Sequence, residues 1–266
     1  MTDLGRRFHF DSALKSDVGR VRKINEDSAL CLPESGIWVV ADGMGGHAAG
    51  DFASQTITGT LETVGVPVSL EDLKVRFLER LSMANARIIA HAQSLGGGPV
   101  GATLASVLIH GDRFACVWSG DSRVYRFRAG QLTQVSRDHT EVQALLDAGS
   151  ITEEQAANWP RKNVITRAIG VNDIPQCDVV EDVLEDRDLF LICSDGLTEY
   201  FENEEIASVL AGAGKTDLDG LCDRFVSTAV ERGGKDNISV ILFRCHEDPP
   251  ERLEALWAFP EFEGTL

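Results

Sequence analysis

The chain lacks the surplus of positive charge that proteins binding nucleic acids usually carry. Its 266 residues contain 25 lysines and arginines against 42 aspartates and glutamates, a formal net charge of −17 at pH 7. Such a surface repels the phosphates of nucleic acids and the head groups of anionic membranes. We therefore expect neither as a partner. An anionic substrate would need metal ions or a local arginine to neutralise the acidic groups around it.

Long apolar runs and cysteine pairs are also missing. No run approaches the ~20 residues of a membrane helix, and the opening MTDLGRRFHF has no apolar segment typical of a secretory signal. The six cysteines form no C-x-x-C pair and have no histidines at zinc spacing. We therefore expect a cytoplasmic protein with reduced, mostly buried thiols.

Two common catalytic motifs are absent as well. The Gly45-Gly46 pair is not followed by Gly-Lys-Ser or Gly-Lys-Thr, which excludes a nucleotide P-loop. No Gly-x-Ser-x-Gly segment predicts a serine nucleophile. His47 and His139 are catalytic by residue type, but we expect them to support a turn and a loop instead.

Hydrophobic residues make up 43% of the chain, enough for a large core. Apolar runs and helical spacing indicate strands and helix pairs in succession, without an internal repeat. The predicted elements are strands at 27–32, 37–41, 102–109, 113–119, 122–128, 131–135, 189–193 and 238–243, and helices at 48–64, 70–94, 203–210 and 217–232. A small helical insertion is expected at 141–170. This order favours layers of sheet covered by helices.

An aspartate on a short turn recurs next to the predicted strands. The five are Asp27, Asp42, Asp121, Asp195 and Asp236. Each alone is explained by turn or capping chemistry. If all five converge, however, their carboxylates repel one another unless cations neutralise them. Oxygen ligands favour Mg²⁺ or Mn²⁺, and two such ions about 3.5–4 Å apart can activate a bridging water against phosphorus.

Arg22 precedes Asp27 by five residues. Its guanidinium matches the oxygens of a phosphoryl group. A solvated surface arginine is the alternative interpretation.

At this point the sequence resembles the bacterial form of the metal-dependent PP2C-type protein phosphatases. The resemblance covers roughly residues 10–243 and depends on an ordered set of segments. They are Ser16-Asp17-Val18-Gly19, Arg22, Asn25-Glu26-Asp27, Val40-Ala41-Asp42-Gly43-Met44-Gly45-Gly46-His47, Gly101-Ala102-Thr103, Gly120-Asp121-Ser122-Arg123, Asp138-His139-Thr140, Asn163-Val164-Ile165-Thr166-Arg167-Ala168-Ile169-Gly170, Ser194-Asp195-Gly196-Leu197 and Asp236-Asn237-Ile238.

The resemblance implies an α+β fold, a four-layer α-β-β-α sandwich in which two antiparallel sheets are flanked by helix pairs. It implies a phosphatase domain at 8–246, with a flap at about 141–170, followed by an acidic C-terminal tail at 247–266. Trp257 and two phenylalanines in this tail could dock on the domain or on a partner, or belong to a loosely packed terminus.

For the metals, the resemblance implies that Asp42 bridges two ions, with the Gly43 carbonyl on one of them. Asp195 and Asp236 would hold the other. The implied cofactors are two Mn²⁺ or Mg²⁺ ions, with a third in a weaker site.

Other residues of the motifs have further implied roles. Asp121, together with Asp195, would form the third metal site. Glu26 and Asp27 would act near the metals, partly through water. Arg22 would bind the phosphate.

The implied function is hydrolysis of phosphoserine and phosphothreonine in proteins, opposing a bacterial Ser/Thr kinase. The stretch from Trp118 to Arg126 is similar to phosphatases encoded with type VI secretion systems; housekeeping phosphatases are the alternative. A catalytically silent module that binds a partner, and a phosphatase acting on small phosphoesters, are the competing functions.

Two departures from the family pattern bear on mechanism. Met44 stands where animal members have a histidine proposed as the general acid, so the acid could be a water on a third metal. Trp159-Pro160 replaces the usual His-Pro of the flap, which affects inherited ideas about substrate choice.

Overall fold

Strands make up the centre of the molecule. The computed structural model describes residues 6–45, 49–161, 163–212 and 217–249. Within these residues the strands are, in chain order, β1 (Phe8–Asp17), β2 (Asp27–Leu32), β3 (Ile37–Met44), β4 (Gly101–Ala102), β5 (Leu104–His110), β6 (Arg113–Ser119), β7 (Arg123–Arg128), β8 (Gln131–Gln134), β9 (Asp178–Val183), β10 (Leu189–Cys193) and β11 (Ile238–Glu247).

Helices connect the strands in pairs or small groups. In chain order they are α1 (Ala49–Leu61), α2 (Leu70–Ser94), α3 (Glu141–Asp147), α4 (Glu153–Ala157), α5 (Asp195–Thr198), α6 (Asn203–Ala211) and α7 (Leu218–Glu231), and one turn of 3₁₀ helix lies at Pro33–Ser35. No helix among the described residues is long and apolar enough to cross a membrane.

The strands pair into two antiparallel sheets. One sheet has the order β1-β11-β10-β7-β8, and the other has the order β2-β3-β5-β6-β9, with β4 paired to β3. The sheets pack face to face, with α1 and α2 outside one and α5, α6 and α7 outside the other. The predicted four-layer α-β-β-α sandwich is therefore confirmed.

The alternation of side chains along β3 shows how the layers are joined. Ile37, Val39 and Ala41 face α1 and α2, whereas Trp38 and Val40 face the other sheet. All five are fully buried. Because successive side chains of a strand point to opposite faces, a strand covered on both sides needs an unbroken apolar run.

Aromatic stacking fills the space between the sheets. The ring of Phe243 stacks on Trp38, with centroids 4.1 Å apart, and on Phe190, with centroids 4.8 Å apart. The indole Nε1 of Trp38 donates to Ser12 Oγ at 2.9 Å, which satisfies the polar atom of this large side chain.

The outer layers follow the predicted helical spacing. On α2, Phe77, Leu81, Ala84 and Ile88 are fully buried against the sheet. The helix begins after Ser69, whose side chain accepts from the backbone N–H of Asp72 and so caps the first turn.

The sequence prediction did not include two of the strands, β1 and β9. β1 pairs along its whole length with β11, which itself extends to Glu247, beyond the predicted end. β9 is an edge strand with the sequence DVVEDV, and all of its residues are exposed. Because none of them is buried, the strand has no run of apolar residues that would predict it. The six cysteines carry no disulfide. His47 and most of the predicted tail, 250–266, lie outside the described residues.

The aromatic stack between the sheets predicts a large stability effect. Replacing Phe243 by alanine should lower the free energy of unfolding by about 3–5 kcal/mol, since it removes a fully buried ring from close-packed surroundings. Urea denaturation measures the change. Val21→Ala, at a site 65% exposed, is the control and should stay within about 0.5 kcal/mol of the unchanged protein. A loss below about 1 kcal/mol for Phe243→Ala would contradict the packing described.

Candidate metal centre

The predicted aspartates meet at one end of the sandwich because of strand pairing. Asp27 begins β2 and Asp42 lies near the end of β3, and the two are direct partners in the antiparallel register. Asp195 follows β10, and Asp236 precedes β11, which pairs with β10. Both sheets therefore present carboxylates at the same end of the fold.

Close backbone approach brings these turns together. A Cβ atom on Gly43 would lie 2.1 Å from the carbonyl oxygen of Gly50, where α1 packs against β3. A Cβ atom on Gly196 would lie 1.9 Å from the carbonyl oxygen of Asn237. Neighbouring backbone segments leave no room for a side chain at these two positions, so glycine is required after Asp42 and after Asp195.

Burial and mutual repulsion make the carboxylates reluctant to ionise. Burial, with repulsion from Asp27 and Asp195, raises the pKa of Asp42 well above its ordinary value. Burial chiefly raises the pKa of Asp27 to about 7, that of Asp121 to about 8 and that of Asp195 to about 6. Without cations, these carboxyl groups keep their protons to a higher pH than they would in water.

The hydrogen bonds of the carboxylates leave oxygen atoms that could bind a cation. Asp42 and Asp195 lie within hydrogen-bonding reach of each other. Ser194 Oγ donates to Asp27 Oδ2 at 2.8 Å, while the buried Asp27 Oδ1 has no partner. In the described ranges, no three histidine, cysteine, aspartate or glutamate side chains form a ready metal cage. The all-oxygen donors and the orphaned Oδ1 nevertheless fit hard divalent cations.

Arg22 lies at the mouth of this cluster. Its Nη2 donates to Asp236 Oδ2 at 2.7 Å, and its Nη1 lies 3.8 Å from Glu26 Oε2. The side chain of Arg22 is 46% exposed, so its guanidinium faces both solvent and the carboxylates.

Asn237 holds the loop that carries Arg22 and Asp27. Its Nδ2 donates to the carbonyls of Val18 and Ile24, each at 3.0 Å, and its Oδ1 accepts from the backbone N–H of Glu26 at 2.8 Å. One buried amide thus ties the loop to the start of β11.

A pair of hydroxyls holds Asp42. The backbone N–H of Asp42 donates to Thr103 Oγ1 at 3.1 Å, and Thr103 Oγ1 in turn lies 2.7 Å from Ser122 Oγ. The backbone N–H of Thr103 donates to the carbonyl of Asp42 at 2.8 Å. Asp42 is therefore fixed at both its N–H and its carbonyl.

His139 holds the turn that carries Asp121. The backbone N–H of Gly120 donates to His139 Nδ1 at 3.1 Å, and the N–H of His139 donates to the carbonyl of Gly120 at 2.9 Å. His139 Nε2 lies 3.2 Å from Asp178 Oδ2, and burial lowers the pKa of His139. These contacts give His139 a supporting position, as the sequence predicts.

The structure thus brings Arg22, Asp27, Asp42, Asp121, Asp195 and Asp236 to one end of the sandwich. The supporting roles of Thr103, Ser194 and Asn237 were missed, although all three stand inside the quoted motifs. Ser194 and Asn237 stand beside a motif aspartate, which was the available signal, but a hydroxyl or amide there predicts no particular partner.

Two cavities compete as binding sites. One of about 360 Å³ is lined by Asp121 and Asp195 and opens between the body and the helices α3 and α4. A larger groove of about 540 Å³ lies at the opposite end of the sheets, near Gly36 and His110, and contains none of the five aspartates. The chemistry therefore favours the smaller cavity.

The chain is similar in sequence to known proteins. Residues 20–240 match the family described as protein phosphatase 2C. The chain is 34% identical, over 239 residues, to the serine/threonine phosphatase stp of Listeria welshimeri, a match covering 86% of this chain and 93% of that protein.

Solved structures agree in fold. PppA, described as a key regulatory component of the type VI secretion system in Pseudomonas aeruginosa, superposes with a TM-score of 0.81 at 39% identity, covering 89% of this chain and 98% of PppA. The catalytic domain of the serine/threonine protein phosphatase PstP, solved with two manganese ions, gives a TM-score of 0.80 at 31% identity, covering 90% of this chain and all of that chain (100%).

The raised pKa values predict how the cation-free protein responds to pH. Folded carboxyls with pKa values of about 6 to 8 bind protons that the unfolded chain releases near pH 4. Their contribution to stability is therefore fully present below about pH 4 and is lost progressively as pH rises from about 4 to about 8. The melting temperature of EDTA-treated protein should fall across this range, and Asp42→Asn should reduce the fall because one repelling charge is gone.

Differential scanning calorimetry at several pH values measures this effect. Asp173→Asn, at an exposed position, is the matched control and should keep the original pH slope. Equal slopes for Asp42→Asn and the unchanged protein would contradict the described repulsion. Added Mn²⁺ should raise the melting temperature of the unchanged protein, most at high pH, and should raise that of Asp42→Asn much less.

Proposed function

The chain belongs to the protein phosphatase 2C family, and we propose that it hydrolyses phosphoserine and phosphothreonine in proteins with the help of Mn²⁺ or Mg²⁺. The observation that carries this proposal is the gathering of five buried or half-buried aspartates, with one arginine at their mouth. The serine/threonine phosphatases among the relatives support the reaction class, and the manganese-bound PstP domain supports the cofactor.

The proposed cation ligands are the carboxylates of Asp42, Asp195 and Asp236 and the carbonyl of Gly43. Asp27 and Asp121 complete the set. Divalent cations supply Lewis acidity here: they neutralise phosphate charge and make water a stronger nucleophile at neutral pH. Burial and repulsion between carboxylates raise the pKa of Asp42, and bound cations would relieve the repulsion.

Arg22 is proposed to orient the phosphoryl group. Its Nη2 is occupied by Asp236. Within the described residues its Nη1 and Nε make no hydrogen bond, so two donors remain for phosphate oxygens. Because Asp236 holds one side of the guanidinium, the fork is oriented before a substrate arrives, which lowers the entropic cost of binding.

The proton for the leaving group cannot come from Met44, which replaces the histidine of animal members and has no acidic proton. His139 engages Gly120 and Asp178 with its two ring nitrogens, so it is not free to donate. We assign the leaving-group side of the reaction to the surroundings of Asp121, which lies at the inner end of the smaller cavity.

The substrates are phosphorylated proteins, and the proposed biological role is to oppose a Ser/Thr kinase. The 39% identity to PppA favours type VI secretion as the pathway. A housekeeping role is the alternative.

The cation-dependent reaction is directly measurable. Purified protein should release phosphate from a phosphothreonine peptide with Mn²⁺ or Mg²⁺ and not with EDTA. Asp42→Ala and Asp195→Ala should each reduce kcat/KM by about 100-fold or more, because the proposed charge stabilisation is lost. Asp173→Ala is the matched control at an exposed site and should keep full activity. No release from folded protein with either metal would sink the proposal and favour a module that binds a partner.

Asp121 should separate turnover from cation affinity. Asp121→Ala is expected to lower kcat by about 100-fold or more, whereas calorimetric titration should show nearly unchanged affinity for the first Mn²⁺ bound. The expectation follows from the position of Asp121 on the β6–β7 turn, apart from the paired Asp27 and Asp42. Unchanged kcat would remove Asp121 from the mechanism.

A further inference from the structure

The smaller cavity continues outward from the candidate metal centre, and we call it the flap groove. It is lined by Asp121 and Asp195 at its inner end, by α3 and α4 on one side, and by Glu199 and Glu202, between α5 and α6, on the other. A phosphorylated side chain that reaches the aspartates would leave its neighbouring residues in this groove. The groove walls would therefore contact the sequence around the phosphorylated residue.

The charge of the flap groove is strongly one-sided. Among the described residues that line it, the one arginine, Arg123, is neutralised by three hydrogen bonds to Asp138 at 2.7–3.1 Å. Glu199 pairs with Lys235 at 2.7 Å. Glu153 and Glu202 are both exposed, and their side chains form no ion pair or hydrogen bond within the part of the chain that the structure describes. Two uncompensated carboxylates thus remain on the groove.

Apolar side chains accompany these two glutamates. Val142 and Leu146 of α3 and Ala156 of α4 line the groove and are half-buried. Lysine and arginine have an aliphatic stem and a charged end, so they can cover such a wall while their charge reaches a carboxylate. An acidic peptide would be repelled by the same glutamates.

We propose that the flap groove selects phosphorylated segments with lysine or arginine beside the phosphoserine or phosphothreonine, and that Glu153 and Glu202 determine this preference. The inference rests on the proposed phosphatase function. Bound cations would neutralise Asp121 and Asp195 at the inner end, whereas the two glutamates would keep their charge. The groove would then offer positive charge to the phosphate and negative charge to the flanking residues.

Two phosphothreonine peptides test the preference. They are identical except that arginines flank the phosphothreonine in one and glutamates in the other. The ratio of their kcat/KM values is measured with Mn²⁺ for the unchanged protein, Glu153→Gln, Glu202→Gln and the double variant. Glu154→Gln is the matched control. Glu154 is exposed on α4, as Glu153 is, but it does not line the groove. Its substitution changes the net charge by the same amount as each single variant.

For the unchanged protein, kcat/KM should be about tenfold higher with the arginine peptide than with the glutamate peptide. The double variant should lose most of this difference because its KM for the arginine peptide is higher. Raising NaCl from about 0.05 M to about 0.5 M should also reduce the ratio by screening. A ratio near one in the unchanged protein, or an equal ratio in the double variant and Glu154→Gln, would overturn the inference alone. Failure to hydrolyse either peptide would overturn the proposed function, and the inference with it.

Discussion

Repulsion among carboxylates that the fold buries together is the constraint on which the site depends. Asp27 and Asp42 are neighbours in one sheet, and Asp195 and Asp236 reach them from the other. The apolar layers around them prevent water from relieving the repulsion, so protons or cations must do so. This arrangement suits a cation-binding protein, because relief of the repulsion among the carboxylates would add to the free energy of cation binding.

The fold withstands this strain because the remainder of the sandwich is packed so completely. Trp38, Phe190 and Phe243 stack between the sheets, and α2 and α7 close the outer faces. Hydrogen bonds with Asn237, Thr103 and His139 then fix the segments that carry Asp27, Asp42 and Asp121. Rigid strands provide the position of each carboxylate, and these few polar side chains provide its orientation.

The division of charge around the site extends the same physics to the substrate. The protein is acidic overall, yet its proposed substrate is an anion. Cations and Arg22 would reverse the local sign only where the phosphate lies. The flap groove keeps the acidic character of the rest of the surface, so the phosphate and the flanking residues of a bound peptide would meet opposite fields.

The family motifs, the candidate aspartates and most central elements could be predicted from the sequence. A strand covered on both faces must be apolar, and the apolar residues of a helix such as α2 must recur every three to four residues. The sequence did not reveal β1 or β9, since β9 is exposed and partner strands far apart in the chain define both. The approach of Gly196 to the carbonyl of Asn237, and the bonds of Asn237 to Val18 and Ile24, were decided only by the tertiary structure. Such contacts join residues about 40 or more than 200 positions apart, and no local pattern records which distant carbonyl an amide will meet.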